Sequence, residues 1–150
     1  MNIIIDIDGT LSDPEHRRHY LEGENNNWEK FFKEVDSDPV NMWCGAIVNK
    51  FYNTHNVYLV TGRPEISKSG INIREKTENW LTVNDLSYDE LIMREEGDFR
   101  QDTVVKQEIL DEKLPEPELI SFAIDDRKDV ADMWRKNGIT CLHCSDVEGY

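Results

Sequence analysis

Met1-Asn2-Ile3-Ile4-Ile5-Asp6-Ile7-Asp8-Gly9-Thr10 is an apolar run that ends in two carboxylates one residue apart, a glycine and a hydroxyl. Apolar residues without alternation, rich in β-branched isoleucine, predict a strand over 3–7 buried on both faces. Asp6 and Asp8 then fall where that strand surfaces. In an open parallel sheet the carboxyl edge of the strands is where ligands bind. Gly9 predicts a turn at this point, so the two carboxylates can diverge around one centre instead of sharing a face.

Further strands with polar ends follow. Asn56 to Val60 reads as a second buried strand, ending in Thr61-Gly62-Arg63-Pro64. Glu90 to Met93 is a short one before Arg94. Leu119 to Ile124 ends in Asp125-Asp126-Arg127, and Ile139 to His143 is the last, before an acidic tail that runs to Tyr150. Helical spacing fills the gaps between them. Val40, Trp43, Cys44, Ile47, Val48 and Phe51 follow Asp38-Pro39, where Asp38 is expected to cap the helix and Pro39 to open its first turn. Ile73, Thr77, Trp80 and Leu81 mark a helix over 71–83. Asp102 is expected to cap a helix that carries Val104, Val105, Ile109 and Leu110, with Lys106 in its second turn. Val130, Met133 and Trp134 mark the last helix, which Gly138 closes.

This alternation predicts a three-layer α/β domain with a mostly parallel sheet. At 150 residues the chain is expected to be a single domain over 1–150. The polar stretch at about 12–37 interrupts the alternation as a small insertion. Within it Trp28, Phe31, Phe32 and Val35 share one helical face, so a short helix is expected to dock there. A cap over a site and a simple anchor to the domain are both open readings of those aromatics.

Composition narrows the partners. There are 31 acidic against 17 basic residues, for a formal charge of −14. Affinity for a long duplex rests on neutralising phosphates, so no stable long-duplex binding is expected, although a pocket for one phosphate is compatible with this charge. No run of about 20 apolar residues suggests a membrane span, and no signal peptide is legible, so the expected location is the cytoplasm. Cys141 and Cys144 have a C-x-x-C spacing, but no second pair completes a zinc set. With Cys44 they read as reduced structural thiols.

The chemistry is concentrated at the strand ends. A carboxylate such as Asp6 can attack phosphorus as a covalent nucleophile when a cation neutralises the approach. A second acid, Asp8, can protonate the leaving oxygen and then activate water. Of the adjacent Asp125 and Asp126, one can bind a cation directly while the other holds a metal-bound water, and such hard oxygen ligands suit Mg²⁺. The Thr61 hydroxyl can grip phosphoryl oxygens, and the Lys106 ammonium can offset the charge of nucleophile and transition state.

Asp6-Ile-Asp8-Gly-Thr10, Thr61-Gly-Arg63, Lys106 and Asp125-Asp126 together resemble the four signature motifs of the haloacid-dehalogenase-like (HAD) phosphatases, in order and over nearly the whole chain. The resemblance implies a Rossmann-like fold with a cap insertion. It makes Asp6 an aspartyl-phosphate nucleophile, Asp8 the general acid and base, and Thr61 and Lys106 binders of the phosphoryl group. It also implies Mg²⁺ held by Asp6, the backbone carbonyl of Asp8 and Asp126, with Asp125 assisting through water. Leu91 to Arg94, Gly97 to Ile109, and Ile124 to Arg127 on through Arg135 further resemble the 3'-phosphatase domain of bacteriophage polynucleotide kinase. On that likeness Arg63, Arg94, Arg100 and Arg127 match arginines of that domain, some of them expected to line the approach of a nucleotide or oligonucleotide phosphate. Arginine suits this role because its donor fork matches phosphate oxygens. The implied activity is a phosphomonoesterase acting on a 3'-phosphate, with a small free-nucleotide or metabolite phosphatase as the alternative. No Gly-x-x-x-x-Gly-Lys-Ser/Thr loop occurs in these residues, so the ATP-dependent kinase half is not expected in them.

Overall fold

The computed structural model describes residues 1–146. The end of the acidic tail, residues 147–150, lies outside the described residues. Strands β1 (Asn2–Ile5), β2 (Asn56–Pro64), β3 (Glu90–Arg94), β4 (Ile120–Asp125) and β5 (Cys141–His143) form one sheet in the order β3-β2-β1-β4-β5. Every pairing is parallel. Helices α1 (Trp28–Lys33), α2 (Met42–Phe51), α3 (Ile73–Val83), α4 (Asp102–Lys113) and α5 (Lys128–Lys136) complete the order.

β1 is central because it has no polar face. Its side chains alternate between two cores: Ile3 and Ile5 pack with Val48 of α2 and with Ile73, Trp80 and Leu81 of α3. Ile4 packs on the other side with Val105 and Ile109 of α4 and with Val130 and Trp134 of α5. This is the expected three-layer arrangement. The chain winds outward from β1 through β2 to β3, then returns to place β4 on the far side of β1. The winding reverses between β1 and β4, and such a switch point opens a crevice at the carboxyl ends of the strands. Asp6 and Asp125-Asp126 leave the sheet at those two ends.

Local details differ from the sequence expectation. β1 stops at Ile5, because the chain turns back on the Ile7 carbonyl, and β2 runs on past Val60 to Pro64, its pairing with β3 shifting register between Thr61 and Pro64. Helix α2 begins at Met42, with Asn41 before it, and not after Asp38. Asp38 is buried and its carboxylate is bound by side chains of the insertion, so it does not cap. Asp102 is the first residue of α4 and not its cap; Gln101 holds that position without a side-chain bond. The insertion holds a 3-10 helix over Glu15–Leu21 and the short α1. Phe31 and Val35 are buried as expected, whereas Trp28 stays 46% exposed because Phe31 and Phe32 already fill the space beneath it.

All three cysteines are free thiols, and burial pushes those of Cys44 and Cys141 up to about 12, which makes them poor nucleophiles. Among the described residues no helix is long and apolar enough to cross a membrane. Trp134, 1% exposed between α5 and the sheet, is the largest fully buried side chain. Trp134→Ala is expected to cost roughly 3–5 kcal/mol, read as a lower urea midpoint with an unchanged slope.

Candidate active site

The geometry starts at the end of β1. The Asp6 N–H donates to the Ile124 carbonyl at 3.0 Å and extends the ladder by one residue. A tight turn follows, in which Thr10 and Ser12 N–H groups donate to the Ile7 carbonyl at 3.0 and 2.9 Å. Gly9 sits in it at φ 83°, a left-handed conformation that favours glycine. The turn separates the two carboxylates. Asp6 faces β4 and α4; Asp8 faces the insertion.

Thr10 Oγ1 donates to Asp6 Oδ2 at 3.1 Å, and Lys106 Nζ donates to Asp6 Oδ1 and to Asp125 Oδ2, both at 2.8 Å. The same ammonium lies 3.4 Å from Asp102 Oδ2, one helical turn earlier in α4. Asp6, Asp125 and Asp126 are all buried, and each offers an oxygen within 4.8 Å of the others. Lys106 is therefore surrounded by carboxylates. Burial, then the charges of Asp125, Asp126 and Asp102, raise the Asp6 carboxyl well above its usual range against the pull of Lys106. Burial and Asp125 push Asp126 up to about 6. Although burial alone would lower it, Lys106 is held well above its ordinary value by Asp102, Asp125 and Asp6. This excess of buried negative charge is what a bound cation relieves. Three convergent carboxylates with hard oxygens fit a divalent cation.

Asp8 belongs to a second network. Arg63 grips it with a fork, Nε to Oδ2 at 3.0 Å and Nη2 to Oδ1 at 2.7 Å, while Arg17 Nη2 also donates to Oδ1. Arg17 donates in addition to both oxygens of Asp38, at 2.7 and 2.6 Å. Its guanidinium lies 4.1 Å from the centre of the Phe31 ring. His16 bonds the same Asp38 carboxylate at 2.7 Å. Burial pushes the Asp8 carboxyl up, but the charges and hydrogen bonds of Arg63 and Arg17 overcome it and hold Asp8 well below the usual carboxylate range.

A cavity of about 870 Å³ opens above both networks and is bordered by Asp6, Asp8, Thr61 and Asp126. Thr61 is 1% exposed, and its Oγ1 accepts the Arg63 N–H at 3.2 Å. Arg63, Arg94, Arg100 and Arg127 all border the cavity, each already engaged. Arg63 is buried on Asp8. Arg94 donates to the Gly62 carbonyl at 2.8 Å, Arg100 pairs with Asp98 and Glu108 at 2.7 and 2.6 Å, and Arg127 pairs with Asp129 at 3.0 Å.

Arg17, Asp38 and Asp102 are site residues that the sequence reading did not single out. Arg17 lies in a polar run without periodicity. Asp38 and Asp102 both imitate helix caps. Asp102 approaches the backbone so closely that a Cβ on Gly62 would lie 2.3 Å from its Oδ1, so any other residue at 62 would displace the Asp102 carboxylate.

The family profile of the polynucleotide kinase PNKP phosphatase domain matches residues 1–148. Two chains from structures of the Pnkp1/Rnl/Hen1 complex, one described as an RNA repair complex, align over 97% and 96% of this chain. Their identities are 29% and 28% and their TM-scores 0.80 and 0.74, and the matches cover 43% and 45% of those chains. The chain thus spans less than half the length of these relatives. A HAD family enzyme of Bacteroides thetaiotaomicron, solved as a magnesium complex, shares the fold at 14% identity and a TM-score of 0.55, over 98% of this chain and 94% of its own.

The Arg17 network yields a stability prediction. Arg17→Met takes from buried Asp38 the guanidinium that binds both its oxygens, leaving it only His16 and the longer contact to Arg63 Nη2 at 3.3 Å, and takes from Asp8 one of its two guanidiniums, which is expected to cost roughly 3–5 kcal/mol. Adding Asp38→Leu should recover part of that loss in urea unfolding, because no under-compensated buried carboxylate then remains at position 38.

Proposed function

The chain belongs to the polynucleotide kinase PNKP phosphatase-domain family of HAD-like, Mg²⁺-dependent phosphatases, and on that premise we propose that it removes the 3'-phosphate from the end of a polynucleotide or nucleotide. The observation that carries the chemistry is Asp6, held between Lys106 and Thr10 beneath an open cavity. Asp6 attacks phosphorus in line with the leaving oxygen, the bond from phosphorus to the sugar oxygen breaks, and an aspartyl-phosphate forms. Lys106 and the Thr61 hydroxyl take the phosphoryl oxygens and offset the developing charge.

Asp8 gives the departing sugar oxygen its proton, then removes one from the water that attacks phosphorus and releases inorganic phosphate and Asp6. The ionised Asp8 that Arg17 and Arg63 maintain is the form the second step uses; the first step needs its protonated form, against the pull of both guanidiniums. Asp6, Asp126 and the Asp8 carbonyl, with Asp125 assisting, would hold Mg²⁺, which would supply charge neutralisation. Arg63, Arg94, Arg100 and Arg127 belong to this proposal as groups that border the path of the phosphate. Residues 12–37 belong to it as a cap carried by one domain. Action in the cytoplasm is part of the same proposal and agrees with three free thiols.

A free-nucleotide or metabolite phosphatase is the alternative, favoured by the net charge of −14. A turnover panel at fixed Mg²⁺ separates the two: the 3'-phosphorylated oligonucleotide is expected to exceed its 5'-phosphorylated counterpart, mononucleotides and sugar phosphates. A panel led by sugar phosphates would overturn the proposed substrate. Asp6→Asn is expected to reduce turnover to background with the fold retained, and Asp8→Asn to lower it by about 10²–10⁴. Chelation should abolish activity and added Mg²⁺ restore it.

A further inference from the structure

Trp28 and Phe99 border the cavity from two separate segments, Trp28 at the start of α1 and Phe99 in the loop between β3 and α4. They are 46% and 71% exposed, so neither ring serves the core. Both are nonetheless held in place. The Trp28 ring is stacked on Phe32 at 5.6 Å and 26°, and lies edge-on to Phe31 at 5.6 Å. Its neighbour Glu29 accepts a hydrogen bond from Ser67 Oγ at 2.9 Å and another from Ser69 Oγ, which ties α1 to the loop after β2. The Phe99 loop is closed by Arg94, which donates to the Asp98 and Arg100 carbonyls, and by the Asp98–Arg100 pair. Lys68 Nζ lies 4.5 Å from the centre of the Phe99 ring. Two aromatic rings are thus oriented before any ligand arrives, which lowers the ordering cost of binding.

The charges around this mouth argue for what those rings hold. A groove that tracks a nucleic-acid backbone needs cations open to phosphate. Here Arg100 and Arg127 are paired with acids, exposed Lys68 sits over the Phe99 ring and is a single cation where a backbone track needs several, and the chain carries a net charge of −14. A nucleobase brings π faces without charge, and stacking on an aromatic ring tolerates every base.

We propose that Trp28 and Phe99 form a stacking subsite for the base of the terminal nucleotide that bears the 3'-phosphate. The protein then recognises an end through its last nucleoside and not through its backbone. This rests on the 3'-phosphatase reading and adds the part of the substrate that is grasped. Little base preference and a shallow salt dependence follow from it.

The test compares kcat/KM for an oligonucleotide ending in a 3'-phosphorylated nucleoside with that for the same strand ending in an abasic 3'-phosphate. The protein is expected to prefer the base-bearing end by about 5- to 150-fold, the range that base–aromatic stacking supports. Trp28→Ala and Phe99→Ala should each shrink this ratio, mostly through KM, and Trp28→Phe should restore it. Equal rates on the two ends, or a ratio untouched by both alanine variants, overturn the subsite. Absence of turnover on either 3'-phosphate, with sugar phosphates hydrolysed, overturns the substrate class and the subsite with it. Both side chains are exposed, so circular dichroism is expected to show every variant folded.

Discussion

The ammonium of Lys106 stands among the carboxylates of Asp6, Asp102 and Asp125, and the surrounding structure is built to keep it there. Burying so many like charges together costs several kcal/mol per ion unless cations and hydrogen bonds compensate. Burial first, and then neighbouring carboxylates that one lysine does not balance, make Asp6 and Asp126 hold their protons more tightly than free carboxyls. That imbalance is a store of attraction for a divalent cation and for the positive centre of a phosphoryl group. It exists because β1 and β4 are neighbours at the switch point of the sheet and because α4 starts against the backbone of Gly62.

The second constraint is the pair of arginines on Asp8. Two aspartates separated by one residue would have similar properties on a regular strand. The turn at Gly9 sends them into opposite surroundings, Asp6 into a nest of acids and Asp8 into a fork of guanidiniums. Environments that separate the proton affinities of two neighbouring carboxyls also separate their roles. Arg17 comes from the insertion and packs on Phe31, so the insertion is coupled to Asp8 through a buried side chain and not only through its position over the cavity.

The strands were legible because buried parallel strands carry a continuous apolar run that local sequence shows directly. The Asp6 and Asp125-Asp126 ends were legible for the same reason, since polar residues that stop such a run stand at the sheet edge, whereas β2 continues through Thr61 to Pro64 and its polar residues did not mark its end. What local sequence could not show was competition between distant partners. Asp38 before Pro39 has the chemistry of a helix cap, yet its oxygens are taken by Arg17, which lies 21 residues earlier. Asp102 reads the same way and instead faces Lys106 and Arg94. Trp28 shared the apolar face of its neighbours in periodicity, but Phe31 and Phe32 occupied the space and left its ring at the mouth of the cavity.

The central claim is that Asp6 takes the phosphoryl group before water does. Stereochemistry at phosphorus tests it without a mutation: a 3'-phosphorothioate made chiral with oxygen isotopes is hydrolysed in isotopically labelled water, and the configuration of the released inorganic thiophosphate, chiral through its sulfur and three oxygen isotopes, is read. Two in-line displacements, first by Asp6 and then by water, predict net retention. Net inversion would mean a single direct attack by water and would contradict the aspartyl-phosphate account.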